Sequence, residues 1–138
     1  MIALIDTDVL IDVALNREPF AEDSARILDA AQRRKFQAVI AWHTIANFYY
    51  ILSSPSGKLA TKAFISDLLE FVDIAPTQTA QAKRALQLDL PDFEDALQVV
   101  AATSAGADFI VTRNLKHYQK SPVPAISPAD FFQKLTAK

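Results

Sequence analysis

Apolar residues along this chain fall into short runs of strand length. Four clear runs occupy residues 2–6, 37–41, 107–112 and 123–126, and a weaker fifth lies at residues 71–74. Uninterrupted runs of this kind, without strict alternation of apolar and polar residues, are typical of strands that are buried on both faces of a parallel sheet. The pattern therefore predicts a central, mostly parallel sheet of four to five strands.

Between these runs, apolar residues recur at helical spacing. The predicted helices cover residues 22–34, 42–53, 59–70, 78–88, 92–105 and 128–136. The apolar stripe of the second helix consists of Trp42, Ile45, Phe48, Tyr49 and Leu52. Gly106 is a natural C-cap for the fifth helix. Because strands alternate with helices, we expect an α/β sandwich that forms one domain over residues 1–138.

Composition narrows the class of protein. Of 138 residues, 51% are hydrophobic, so a sizeable core can be buried, and no cysteine is present for a disulfide or a cysteine–zinc site. The formal net charge is −2, so contact with a phosphate backbone must rely on a local basic patch or on bound cations. The segment MIALID lacks the basic region of a signal peptide, and no run approaches the roughly 18 apolar residues of a membrane span. We therefore expect a cytoplasmic protein that is not inserted in a membrane.

Two acids, Asp6 and Asp8, follow the first predicted strand. In a parallel α/β sheet, ligands bind beyond the carboxyl ends of the strands, so this position favours a functional site. The alternative is that Asp6 only caps the following helix, and that Asp8 only supports its first turn through the helix dipole. Asp12 falls one turn after Asp8, and we expect it to face solvent.

A second acidic cluster opens the predicted helix at residues 92–105. Pro91 precedes Asp92, Glu94 and Asp95. Asp92 and Asp95 are i, i+3 neighbours and share a helix face, whereas Glu94 is expected to point elsewhere. The alternative is structural, with Asp92 as the N-cap and Asp95 near the N3 position of a capping box.

Asn47 stands in the middle of the predicted helix at residues 42–53, off its apolar stripe. Asparagine is a weak helix former, so its presence in mid-helix invites a functional reason. Tyr50, three residues later, shares its face. The alternative is that Asn47 is merely exposed to solvent.

Polar residues also follow the strand predicted at residues 107–112. Thr112 and Asn114 are expected to lie beside Asp6, at the carboxyl end of a neighbouring strand. Positive charge follows at the rim, from Arg113, Lys116, His117 and Lys120. The alternatives are an N-cap for Asn114 and an ordinary solvated surface for the basic residues.

Together, these signals predict an oxygen-rich site. Carboxylates and amides at the ends of two strands and on two helices are the ligand types that Mg²⁺ and Mn²⁺ prefer. The absence of cysteine and the presence of only two histidines argue against zinc.

Four of these segments resemble the PIN domain, the fold of the toxin ribonucleases of VapC-type toxin–antitoxin pairs. The matching segments are Asp6-Thr7-Asp8-Val9-Leu10, Asn47 of TIANFYYIL, Asp95-Ala96-Leu97 and Thr112-Arg113-Asn114. NREPF at residues 16–20 and DFEDALQ at residues 92–98 also look like one bacterial PIN subgroup. The resemblance covers nearly the whole chain in order. It implies a three-layer α/β/α sandwich around the predicted sheet.

The resemblance also implies a chemistry, the Mg²⁺- or Mn²⁺-dependent hydrolysis of RNA. It implies that Asp6 and Asp95 bind the cation with help from Asp92 and Asp8. Thr112 and Asn114 would then hold a water or the phosphate, and Asn47, Arg113 and Lys116 would contact the substrate. Two departures stand out, because Asn47 and Asn114 are neutral where most nuclease members carry Glu and Asp.

The same resemblance implies partners and leaves alternatives open. A toxin of this class has an antitoxin protein as partner, and we expect a homodimer, with apolar helices near FYYIL as a candidate surface. The first alternative is a PIN fold without catalysis that binds RNA or protein. The second is a HAD-type phosphohydrolase, because LIDTDVL also fits the motif of its aspartate nucleophile.

Overall fold

The computed structural model describes residues 1–137, which contain one five-stranded parallel sheet. The strands are β1 (Ile2–Ile5), β2 (Gln37–Ile40), β3 (Val72–Ile74), β4 (Phe109–Val111) and β5 (Ala125–Ile126). Their order in the sheet is β3-β2-β1-β4-β5, so β1 is central and pairs with β2 and β4. All five apolar runs therefore form strands, as predicted.

Seven α-helices and one short 3₁₀ helix connect the strands within the described residues. They are α1 (Thr7–Ala14), α2 (Ala21–Gln32), α3 (Trp42–Ser56), α4 (Lys58–Leu68), α5 (Thr79–Ala85), α6 (Phe93–Ser104), the 3₁₀ helix Leu115–Tyr118 and α7 (Pro128–Thr136). No helix in residues 1–137 is long and apolar enough to cross a membrane.

Alternate residues of the central strand enter two different cores. Ala3 and Ile5 pack in a core that includes residues of α1, α2, α3 and α7, whereas Leu4 packs on the other face with residues of α6. All three side chains are fully buried, as expected for a parallel strand covered by helices on both faces. The predicted three-layer α/β/α sandwich is confirmed.

The buried face of α3 differs from the predicted stripe. Trp42 is 68% exposed, whereas Thr44, Phe48 and Leu52, which follow one another at four-residue spacing, are buried. The prediction for Trp42 is wrong because the buried face includes a threonine. Thr44 belongs to a buried polar network with Thr7, described below, and an apolar pattern cannot reveal such a contact.

A candidate acidic active site

One cleft of about 350 Å³ lies beyond the carboxyl ends of β1 and β4. It is lined by Asp6, Thr7, Asp8, Asn47, Tyr50, Ile51, Asp92, Glu94, Asp95, Asn114 and His117. Five of these residues carry carboxylates, supplied by the end of β1, the start of α1 and the start of α6. The structure therefore brings all four predicted acids together, at the edge of the sheet where parallel α/β folds bind ligands.

Asp6 is the most enclosed of these acids, with 7% of its surface exposed. Its Oδ1 accepts hydrogen bonds from the Thr7 amide at 2.7 Å and from Gln98 Nε2 at 3.1 Å. Its Oδ2 accepts from Thr112 Oγ1 and from the Tyr118 hydroxyl, both at 2.9 Å. Asp6 thus caps α1 through the Thr7 amide and is also fixed at the base of the cleft, so capping is only part of its role.

Asp95 approaches the same hydroxyl from α6. The Tyr118 oxygen lies 3.2 Å from Asp95 Oδ1, and His117 Nδ1 lies 3.0 Å from Asp95 Oδ2. A phenol has one proton, so Tyr118 shares it between Asp6 and Asp95. Burial, followed by the neighbouring charges of Asp6 and Asp92, raises the pKa of Asp95. Burial also raises the pKa of Tyr118, which therefore stays a neutral donor.

Asp8 lies between the end of β1 and the turn that follows β4. Its Oδ2 is 3.0 Å from Asn114 Nδ2 and 3.3 Å from both the Arg113 amide nitrogen and Thr112 Oγ1. Burial is the largest cause, and the charge of Asp6 the second, of a rise in the pKa of Asp8 to about 7. Asp8 therefore holds or releases a proton near neutral pH when no cation is bound.

The acids at the start of α6 have different roles. Asp92 is the exposed N-cap, and its Oδ1 accepts a hydrogen bond from the Glu94 amide at 2.8 Å. Glu94 lines the cleft, so the expectation that it points elsewhere is wrong. The cleft runs past the N-terminal end of α6. First-turn residues on two faces of this helix therefore line it. Burial and then the charge of Asp6 raise the pKa of Glu94, while the Asn47 amide lowers it.

Arg113 faces away from the cleft. Its Nε lies 2.6 Å and its Nη2 3.2 Å from the two carboxylate oxygens of Asp12, and its guanidinium lies 4.3 Å from the centre of the Phe20 ring. Asp12 is fully buried, so the expectation that it faces solvent is wrong. The geometry therefore gives Arg113 a structural contact where a substrate contact was expected. Lys116 lies in a shallow depression beside the cleft, which His117 also lines.

Two further side chains, which were not predicted from the sequence, complete the site. Gln98 is fully buried, and its Nε2 donates to Asp6 Oδ1 and lies near the hydroxyls of Thr7 and Thr44. Tyr118 bridges two acids, as described above. A glutamine three residues after Asp95, inside the apolar stretch ALQVVAA, was the available signal for Gln98. Tyr118 had none, because only folding brings the 3₁₀ helix beside β1.

The donor set is suited to a hard divalent cation that keeps part of its water shell. Asp8 Oδ1 is buried and accepts no hydrogen bond within the described residues, and the buried Asp95 Oδ2 has only the His117 Nδ1 contact at 3.0 Å. Over residues 1–137, no group of three Asp, Glu or His side chains is arranged to hold a metal ion by itself. Mg²⁺ usually binds through one or two carboxylates and retains several waters, which matches such a cleft.

Solved structures share this fold. VapBC2 from Rickettsia felis, bound to a DNA fragment from the promoter, matches with a TM-score of 0.69 at 17% identity and covers 92% of this chain and 98% of that one. VapBC-1 from nontypeable Haemophilus influenzae has a TM-score of 0.67 at 16% identity, with 93% and 98% covered. VapC20 from Mycobacterium tuberculosis, a sarcin-ricin loop cleaving toxin, has a TM-score of 0.63 at 15% identity, with 78% and 86% covered.

The family assignment rests on a comparison of sequences. No curated protein matches this chain. The family model described as PIN domain matches residues 3–116, which contain β2 to β4, all of β1 except Ile2, and every acid of the cleft. The chain therefore belongs to the PIN domain family, which confirms the resemblance seen in its motifs.

Proposed function

We propose that this protein is a Mg²⁺- or Mn²⁺-dependent endoribonuclease and the toxin of a type II toxin–antitoxin pair. One observation carries the proposal: five carboxylates converge on one cleft at the carboxyl edge of the sheet of a PIN domain. So many acids in one partly buried cleft repel each other and would repel an RNA phosphate. A bound cation removes both conflicts.

Asp6, Asp8 and Asp95 are the proposed cation ligands, directly or through water, with Asp92 and Glu94 at the outer wall. A divalent cation bound there would polarise the scissile phosphate and lower the pKa of an attacking water. The protein's own task is to hold the acids in place. The buried donors Gln98, Thr112 and Tyr118 do so, because each donates to Asp6.

We propose different roles for Thr112 and Asn114, the two residues that were expected to hold a water or the phosphate. The Thr112 hydroxyl is buried and already lies against Asp6 and Asp8, so we assign it to positioning the acids. Asn114 lines the cleft and donates one amide hydrogen to Asp8 Oδ2. Its second hydrogen remains for a water or a phosphate oxygen.

The positive charge for the RNA backbone comes from one side of the cleft. His117 lines both the cleft and the depression that contains Lys116 and Lys120. We therefore propose that the RNA backbone leaves the cleft over this 3₁₀ helix, where Lys116 offsets its charge. Asn47, on α3, contacts the substrate from the other side.

A PIN fold without catalysis is the second candidate, and the neutral residues Asn47 and Asn114 favour it. The position of Glu94 favours hydrolysis, because its carboxylate lies against the Asn47 amide and enters the cleft. An acid is thus present close to where Asn47 replaces one. The family assignment removes the HAD-type phosphohydrolase from consideration.

The proposed partner is an antitoxin protein. Two of the similar structures are VapBC complexes, and the motifs of this chain resemble those of VapC-type toxins. Trp42 and Ile51 of α3 are exposed apolar residues, which suit a protein contact. We propose that such residues bind the antitoxin or a second copy of this chain, in the cytoplasm.

Cleavage of single-stranded RNA tests the enzymatic proposal. Wild type with Mn²⁺ should cut a labelled RNA, and EDTA or Asp95→Asn should abolish cutting. Asp130→Asn is the matched control, because Asp130 lies in the first turn of α7, outside the cleft. Cutting by Asp95→Asn at the wild-type rate would contradict the proposed site and would indicate a contaminating nuclease or a different site. Specific RNA binding without cutting would support the non-catalytic candidate.

A further inference from the structure

Tyr50 is an exposed aromatic residue at the rim of the acidic cleft. Its side chain lines the cleft, yet 78% of its surface is open to solvent. Leaving a large aromatic surface in water costs free energy, and a ligand bound in the cleft would cover this ring. Neither the cation chemistry nor the network of buried donors uses it.

Tyr50 stands on a regular helix and contacts one neighbouring ring. Tyr50 lies within α3, three residues after Asn47, and both side chains line the cleft. Its ring meets the ring of Tyr49 edge to face, with the centres 5.8 Å apart and the planes at 77°. A tyrosine on a helix has only two side-chain torsions, so it loses little conformational freedom when a flat ligand stacks on it.

Charge divides the cleft into sides that suit different parts of a nucleotide. In the sheet, β2 and β4 flank β1, so α3 and the 3₁₀ helix leave the sheet on opposite sides of Asp6. Lys116 lies on the side of the 3₁₀ helix, together with Lys120, which is paired with Asp89. On the other side, α3 itself presents only the uncharged side chains Asn47, Tyr50 and Ile51, with the Glu94 carboxylate of α6 beside Asn47. A phosphate backbone is favoured on the cationic side, and an uncharged base on the α3 side.

We propose that Tyr50 is a stacking platform for an unpaired base next to the scissile phosphate, and so selects single-stranded RNA. This inference rests on the proposed ribonuclease function. Stacking on an aromatic side chain accepts any base, because every base has a π-face. A base inside a duplex stacks on neighbouring bases with both faces, so it cannot stack on Tyr50. Tyr50 thus contributes to substrate binding and leaves the hydrolytic step to the acids.

Substitutions that separate aromatic stacking from apolar contact test the inference. Tyr50→Phe keeps the ring, Tyr50→Leu keeps apolar bulk without a π-face, and Tyr50→Ala removes both. For a short single-stranded RNA, we expect Tyr50→Phe to match wild type, and the Leu and Ala variants to show a KM about tenfold higher with kcat little changed. Leu59→Ala is the control, because Leu59 is 84% exposed on α4, away from the cleft.

Abasic substitution places the stacked base. A series of RNAs, each with one abasic nucleotide, should contain one position at which wild type and Tyr50→Ala have equal KM. The inference is overturned when Tyr50→Leu behaves as wild type, when no such position exists, or when Tyr50→Ala changes the oligomeric mass and not KM. If wild type cuts no RNA, the proposed function fails separately. Binding of the same RNAs by fluorescence anisotropy then decides, and equal affinity of all four proteins overturns the inference.

Discussion

The guanidinium of Arg113 lies against the fully buried carboxylate of Asp12, with Nε 2.6 Å from Oδ2. This contact joins α1 to the turn after β4. The backbone amide of the same arginine lies 3.3 Å from Asp8 Oδ2, so the contact also fixes the turn that faces the cleft. The hydrogen bond to Asp12 is the largest cause of a raised pKa of Arg113, which keeps the guanidinium charged.

Breaking this ion pair should be costly. Asp12→Asn leaves the guanidinium without its charged partner, and we expect a loss of about 3 kcal/mol in the free energy of unfolding. The exposed pair Arg33–Asp29 offers a matched control, and Asp29→Asn should cost less than about 1 kcal/mol. Urea unfolding measures both. Equal small losses in the two variants would show that the buried pair does not stabilise the fold.

Asp8 should make stability depend on pH. Its pKa is about 7 in the folded protein and about 3.9 in an unfolded chain, so the folded state binds this proton more tightly. The free energy of unfolding should therefore fall as pH rises from about 4 to about 7. Because the cleft is partly solvated, we expect a loss on the order of 2 kcal/mol in EDTA that Asp8→Asn lacks. Parallel pH curves for wild type and Asp8→Asn would contradict this assignment.

The Tyr118 hydroxyl should matter most when its acceptors are charged. Tyr118→Phe removes the donor shared by Asp6 and Asp95, and we expect a loss of about 1–2 kcal/mol at pH 8. The loss should be smaller at pH 5 than at pH 8, because the raised pKa of Asp95 increases its protonated fraction as pH falls. Thermal or urea unfolding at both pH values measures it. Tyr50→Phe, at an exposed ring, is the control and should change stability little.

Gln98 should tolerate no added charge. Gln98→Glu places a second carboxylate 3.1 Å from Asp6 Oδ1 at a fully buried position. We expect a loss of about 3 kcal/mol at pH 7 that decreases toward pH 5, where the new acid is protonated. Gln32→Glu at the exposed end of α2 is the matched control. A loss independent of pH would point to packing, not to charge repulsion.

The sequence was informative where a side chain's role follows from local order. The five strands, the layer architecture and the convergence of Asp6 and Asn114 follow from apolar runs and from the geometry of parallel sheets, whereas the resemblance to the PIN domain implied that Asp95 joins them. The site roles assigned to these residues remain predictions. The expectation that Asp12 faces solvent was wrong because its partner, Arg113, lies 101 positions away in the sequence. Periodicity identifies a helix face but does not show which polar partner lies opposite.

Cation binding tests the central claim most directly, because it does not require knowledge of the RNA target. Mn²⁺ is titrated by calorimetry into wild type, Asp95→Asn and Asp130→Asn at pH 7.5. If the cleft is the cation site of a nuclease, wild type and Asp130→Asn bind Mn²⁺ alike, and Asp95→Asn binds at least about tenfold more weakly. No binding by wild type, or equal binding by Asp95→Asn, would contradict the claim.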